Sequence, residues 1–308
     1  LLSAPFAQSL RSYFCAKCAL SKPPLSAALY SISFGNHTMD DENEEYGKIV
    51  VSHCEPLYLS KHFMQDGHSA EKANGTVTYV KYKGITYGIT CAHVFFHQKL
   101  GSSEERILTV FGERLVYQFG LHSQKGYESH FRSMRSSPSD TQNPDIAIVQ
   151  LSEPFPSIHM KRKGKKAIDL DHWVEPSFSD AKMAMACGFP TEHKSQNDSV
   201  VSAELAQVFA EPASKLSLDR ESFLLASSLE EDCNIYFSGM SGGPVYLDGT
   251  VDGKITIVGI IHEGSPGSSK EWESRGPESF LTKKDIQIRA HTFTPEVFER
   301  WLKQVGYL

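Results

Sequence analysis

From Gly75 onward the chain sets short apolar runs against polar ones with a period of two. The stretches 76–83 and 85–91 alternate on either side of Gly84, which predicts a β-hairpin. Further strand-like runs cover 106–112, 114–119, 146–151, 182–187, 200–210 and 223–226, with two more near Val245 and over 255–261. Gly, Pro, Asn and Asp separate these runs, so the pattern is that of an antiparallel all-β sandwich or barrel. Two long segments interrupt it, 121–144 and 154–176, and the second is suited to join two β units. The chain ends differently. Thr294 stands as an N-cap before Pro295, and Val297, Phe298, Trp301, Leu302 and Val305 fall on one helical face, so 294–308 predicts an amphipathic helix. No repeat of 20 to 50 residues is visible.

Composition narrows the picture by exclusion. With 308 residues, 40% hydrophobic and 22% charged, the chain resembles an ordinary globular protein with a sizeable core. A net charge of -6 leaves no basic footprint, so neither nucleic acid nor an anionic membrane is an expected partner. The basic runs Lys161-Arg162-Lys163 and Lys165-Lys166 read as a solvated linker. No run of about 18 apolar residues suggests a membrane span, so a soluble, intracellular protein is expected. Residues 1–46 read as a leader or disordered tail. The part before Met39 lacks Asp and Glu and is rich in Ser, which also allows organelle targeting by residues 1–38, and Met39 offers a second start. The six cysteines, at 15, 18, 54, 91, 187 and 233, are too sparse for a disulfide scaffold and read as reduced thiols. Cys15-x-x-Cys18 could join His53 or Cys54 around zinc but lacks a second pair, so no metal and no cofactor are expected. Sequons at Asn36, Asn74 and Asn197 read as incidental.

The chemistry concentrates in Gly239-Met240-Ser241-Gly242-Gly243-Pro244. An acyl-transfer serine needs a tight turn that frees its Oγ, and glycines let the backbone aim amides at a developing oxyanion. The N–H groups of Gly239 and Ser241 are the candidate donors. At average usage these five fixed positions recur by chance on the order of once in 10³ to 10⁴ chains of this size. A serine hydroxyl also needs a base held in one tautomer. His93, in Thr90-Cys91-Ala92-His93, stands just past a strand, and Asp145, in Asn143-Pro144-Asp145-Ile146-Ala147, opens an apolar one. Taken singly, His93 could be structural and Asp145 a turn cap.

Together and in this order, the three segments resemble the trypsin/chymotrypsin family, with its Thr-Ala-Ala-His-like, Asp-Ile-Ala-Leu-like and Gly-Asp-Ser-Gly-Gly-Pro-like motifs. The resemblance runs from about Val77 to Leu302. It implies an all-β, chymotrypsin-like fold of two antiparallel six-stranded β-barrels. The first would span 47–160 and carry His93 and Asp145. A linker at 161–176 would lead to a second barrel at 177–293 carrying Ser241, with the helix closing the chain. It also implies a serine endopeptidase acting on protein or peptide substrates through the His93, Asp145 and Ser241 triad. Substrate-pocket candidates are Ile235, Tyr236, His262 and Gly264. Ile235 stands where trypsin carries its aspartate, so Lys/Arg preference is not implied, and His262 is similar to the pocket histidine of glutamyl endopeptidases. Two departures stand out. Met240 replaces the aspartate that receives a cleaved N-terminus, and Ile49-Val50-Val51-Ser52 matches such an N-terminus poorly, so activity without that cleavage is expected. Val94 replaces the cysteine of the disulfide beside the histidine. A catalytically silent homologue that binds proteins, or an enzyme gated at the oxyanion turn, is the alternative reading.

Overall fold

The computed structural model describes residues 48–61, 70–96, 106–111, 116–119, 129–176, 184–197, 200–212, 220–228, 236–248, 255–265 and 285–308. Eight strands build the first unit: β1 (Cys54–Lys61), β2 (Ala70–Tyr82), β3 (Ile85–Thr90), β4 (Arg106–Phe111), β5 (Val116–Phe119), β6 (Arg132–Ser133), β7 (Ala147–Gln150) and β8 (Ile168–Asp169). Their order is β5-β4-β1-β2-β3-β7-β6, antiparallel throughout, with β8 added parallel to β2. The β2–β3 hairpin forms as its sequence predicts. Lys83 and Gly84 make the two-residue turn with φ of 50° and 78°, the left-handed pair that matches strand twist.

The second unit comprises β9 (Ala184–Gly188), β10 (Lys194–Asn197), β11 (Val200–Ala203), β12 (Ala206–Pro212), β13 (Ser222–Ser228), β14 (Pro244–Asp248), β15 (Ile255–Ser265) and β16 (Asp285–Thr292). Six of these close into a barrel in the order β12-β13-β16-β15-β14-β9, while β10 and β11 pair as a separate hairpin. Alternation decides which side chains fill it. Ala184 and Ala186 of β9 and Val245 and Leu247 of β14 line the interior with Val258, Ile261, Ile286 and Ile288. The residues between them, Met185, Cys187 and Tyr246, face outward and are nonetheless buried, packed with Val80, Tyr87 and Ile89 of the first unit. Both faces of these strands are therefore apolar, which is why the runs read as nearly continuous.

The expectation of two six-stranded barrels is half met. Among the described residues the first unit is an eight-stranded sheet whose end strands, β5 and β6, do not pair. Side chains bridge the gap that backbone bonds leave. Tyr117 donates from its hydroxyl to Ser129 Oγ at 3.1 Å, and Phe119 meets Phe131 edge-on at 5.0 Å. With only two residues, β6 is too short to carry a ladder around.

In the segment 161–176, Lys161, Arg162 and Lys166 are exposed as a solvated linker would have them, but Lys163 and Lys165 are not free surface charges, and for these two the reading is corrected. Lys163 Nζ donates to Glu55 Oε1 at 2.6 Å, and Lys165 Nζ to the carbonyls of Val51 and Cys54 at 2.7 and 2.8 Å. Glu55 is fully buried on β1, so it draws these cations inward, with His159 and the Tyr79 hydroxyl on its other oxygen.

The C-terminal helix is Pro295–Gln304. Thr294 caps it by accepting the Val297 N–H at 3.2 Å, and Val297, Phe298, Trp301 and Leu302 are buried. Phe298 sits edge-on to Tyr82 and Tyr87 of the first unit, although the helix follows the last strand of the barrel. It thus pins one unit to the other. No helix among the described residues is long and apolar enough to cross a membrane. Residues 1–46 lie outside the described residues, and so do Cys15, Cys18 and Cys233; the described cysteines, Cys54, Cys91 and Cys187, are buried free thiols.

Candidate active site

His93 stands on a one-turn helix, Ala92–Phe96, that follows β3 directly. Ala92 and Val94 on either side are fully buried, which leaves the His93 ring, 35% exposed, as the residue that faces out. Asn74 locks this turn by donating from Nδ2 to the Val94 carbonyl at 2.8 Å, so the Asn74 sequon is a buried structural amide. Asp145 precedes β7 and is buried. Its Oδ2 lies 2.6 Å from His93 Nδ1, and its Oδ1 accepts the His93 backbone N–H at 3.0 Å. An ionised carboxylate can only accept, so the proton resides on Nδ1 and Nε2 is the basic nitrogen.

Burial alone would raise the Asp145 carboxyl, but the His93 side chain and N–H, with Arg135, hold it below the usual range. Arg135 Nη1 lies 3.4 Å from Oδ1. The Asp145 N–H donates to His291 Nε2 at 3.1 Å. His291 must therefore be neutral at Nε2, and burial first, then His262, lowers it to about 3.

Ser241 is placed by glycine sterics and by β2. Gly239 and Gly242 have φ of 95° and 91°, where other residues are strained. A Cβ on Gly242 would collide with the Thr76 carbonyl, and one on Gly243 with the carbonyl of Cys187. The turn is then bonded to the first unit. The Ser241 carbonyl accepts the Thr76 N–H at 2.9 Å, Thr76 Oγ1 donates to the Gly239 carbonyl at 2.9 Å, and Thr78 Oγ1 to that of Gly242 at 2.7 Å.

Two routes lead from this turn to the histidine segment. Thr90, three residues before His93, donates from Oγ1 to the Thr76 carbonyl at 2.8 Å. Cys91 Sγ donates to the Ile261 carbonyl at 3.1 Å, the same oxygen that takes the Gly242 N–H at 2.8 Å. Met240 is fully buried in the barrel core, an apolar anchor for the turn. The N–H groups of Gly239 and Ser241 donate to no group among the described residues.

The pocket candidates separate. Ile235 lies outside the described residues. Tyr236 is half-buried, and Gly264 is covered by Phe237, a core residue whose Cβ a side chain at 264 would strike. His262 does not stand apart in a pocket. Its ring stacks on His291 at 4.3 Å, within electrostatic reach of Asp145 and His93, and its Nε2 is buried without a partner among the described residues. Burial is the main reason its pKa is lowered.

Sequence reasoning missed Arg135, His291, Thr76 and Thr90, which carry no local signature, and took Cys91 as only a small hydrophobe. Donor atoms of Cys91, His93 and Asp145 lie within 4.8 Å of one another. Each is committed: the thiol to Ile261, with burial pushing it well above its ordinary pKa, and Nδ1 to the carboxylate. The trio is built for hydrogen bonding. No protein-family model matches the chain, and a search of the curated proteins finds no match either.

Proposed function

We propose that this chain is a serine endopeptidase of the trypsin/chymotrypsin type, with His93, Asp145 and Ser241 as its triad. One observation supports the reading: His93 Nδ1 and Asp145 Oδ2 close at 2.6 Å, and Thr90, three residues before His93, bonds to the carbonyl of Thr76, whose N–H holds the Ser241 carbonyl. Ser241 Oγ attacks the scissile carbonyl and passes its proton to His93 Nε2. Asp145 holds the ring and stabilises the imidazolium. The oxyanion is met by the N–H groups of Gly239 and Ser241. His93 then gives its proton to the leaving amine, and water repeats the sequence on the acyl-enzyme. Because Met240 is an apolar anchor with no charge to pair, the turn needs no new N-terminus to form. With an apolar residue at Ile235, cleavage after Lys or Arg is not expected.

The test is digestion of a proteome-derived peptide library by wild type, Ser241→Ala and His93→Ala, with new termini read by mass spectrometry. Termini produced by wild type alone, and not after Lys or Arg, support the reading. A library left intact by all three rejects an active peptidase and favours a gated or binding-only homologue.

A further inference from the structure

Arg135 does not belong to the triad, yet its guanidinium ends on the triad carboxylate. The loop between β6 and β7 is built to place it there. Arg135 is anchored on one side by its own N–H donating to Ser133 Oγ at 3.1 Å and on the other by Nε donating to the Asn143 carbonyl at 3.1 Å. Asp140 draws the loop together by accepting from the N–H groups of Ser136, Gln142 and Asn143 and from Asn143 Nδ2. Gln304 of the C-terminal helix donates to Asn143 Oδ1 at 2.7 Å and ties the loop to the rest of the molecule. These bonds leave Nη1 3.4 Å from Asp145 Oδ1, with the Arg135 side chain only 20% exposed.

We infer that Arg135 is a positioning residue for the proposed reaction, which fixes the rotation of the Asp145 carboxylate and sets how much of its charge reaches His93. The inference rests on the serine-peptidase reading of this site. The carboxylate has two oxygens with different tasks. Oδ1 takes the His93 N–H and the guanidinium, while Oδ2 alone faces Nδ1. Holding Oδ1 from two sides keeps Oδ2 on the ring. The cation also offsets part of the negative charge that would otherwise favour the imidazolium, an interaction that matters because the pair is largely removed from water.

The titratable groups that face Asp145 are His93 and Cys91 from the end of β3, Arg135 from its own loop, His291 from β16 and His262 from β15. His291 is neutral where it accepts the Asp145 N–H, and the buried Cys91 is a thiol. Among the described residues, Arg135 is therefore the cation that balances the carboxylate when His93 is neutral.

The experiment measures the rate of Ser241-dependent fluorophosphonate labelling from pH 5 to 9 for wild type, Arg135→Gln and Arg135→Lys, alongside thermal melting. In Arg135→Gln the acid limb is expected to move to higher pH by about half a unit or more, with the plateau rate about 3- to 10-fold lower. Arg135→Lys is expected to restore the midpoint but not the full plateau, since a point charge replaces a fork. Should the glutamine variant fail to fold, Arg135→Met keeps the apolar stem and carries the same expectation. A limb that coincides with wild type in a folded, labelled Arg135→Gln or Arg135→Met protein overturns the inference alone. Absence of Ser241-dependent labelling in wild type at every pH overturns the peptidase reading and the inference with it.

Discussion

The backbone N–H of Thr76 donates to the carbonyl of Ser241 at 2.9 Å. The first unit thus holds the Gly239–Gly243 turn of the second directly, and the same residue takes Thr90 Oγ1 on its carbonyl. The placing of the Ser241 turn beside the His93 segment is in this sense a property of the contact between the units, with Thr76 bonded to both.

Replacing Thr76 by Val keeps the β-branched shape and removes only Oγ1. That oxygen donates to the Gly239 carbonyl and accepts the Phe189 N–H at 3.1 Å. Two buried backbone groups would be left unsatisfied, so stability should fall by about 2 kcal/mol or more. Labelling of Ser241 should slow by at least about 10-fold, since the Gly239–Gly243 turn loses its brace. Urea denaturation and labelling kinetics measure the two effects. An unchanged rate with lowered stability would show that the turn holds its shape without Thr76 Oγ1.

Gly242→Ala should be far worse than an average surface substitution. The residue adopts φ of 91°, and its added methyl would run into the Thr76 carbonyl, a backbone atom that cannot step aside. Loss of several kcal/mol is expected. Gly84→Ala is the control, since φ there is also positive, at 78°, but no atom lies within 4 Å of the new Cβ. It should cost only about 1 kcal/mol.

The buried Glu55 network is a stability device of the first unit. Burial is the largest influence on Glu55 and would raise its carboxyl. Lys163, the hydrogen bond from His159 and then Lys165 outweigh it, so the group is ionised at neutral pH. Lys163→Met strands that charge and should cost about 3 to 5 kcal/mol, whereas adding Glu55→Leu should return part of the loss. Urea midpoints of the two single variants and the double variant give the coupling directly. Simple additivity would mean that the pair does not interact.

Acid should destabilise the fold well before its carboxylates titrate. Burial first, then Lys166 and Lys165, lowers His53 to about 4, and burial with His262 lowers His291 to about 3. Both are near 6.5 in the unfolded chain. Below that pH the unfolded state binds protons that the folded state does not, so stability is full above about pH 6.5 and falls as pH drops towards 4. Each histidine contributes a slope of about 1.4 kcal/mol per pH unit in that window. Urea midpoints at pH 7.5, 6 and 4.5 should therefore decline steadily. A flat response between pH 7 and 5 would contradict the neutral, buried state assigned to both rings.

Local features were legible in the sequence, and long-range pairings were not. The β2–β3 hairpin, the capped C-terminal helix and the glycine-defined turn at Ser241 each depend on residues a few positions apart. β1 escaped notice because Pro56 and Glu55 interrupt its run; Glu55 is tolerated there because Lys163, His159 and Tyr79 come from elsewhere in the chain to meet it. The single run expected over 200–210 divides into β11 and β12 at Glu204-Leu205. β16 alternates Ile286, Ile288 and Ala290 cleanly, a signal the strand reading omits. His291 reaches Asp145 across 146 residues and Cys91 reaches Ile261 across 170, so no spacing rule could have assigned either. The first unit's sheet stays open at its ends, which are bridged by aromatic contacts such as Phe119 with Phe131 that residue periodicity does not encode.

The central claim is that Ser241 is an activated nucleophile, and intact mass after treatment with a fluorophosphonate probe tests it most directly. Wild type should gain one probe mass on Ser241, Ser241→Ala none, and His93→Ala less than about a hundredth of the wild-type rate. Equal, slow labelling of wild type and His93→Ala would contradict the account, because it would mean that the 2.6 Å His93–Asp145 pair does not serve the serine.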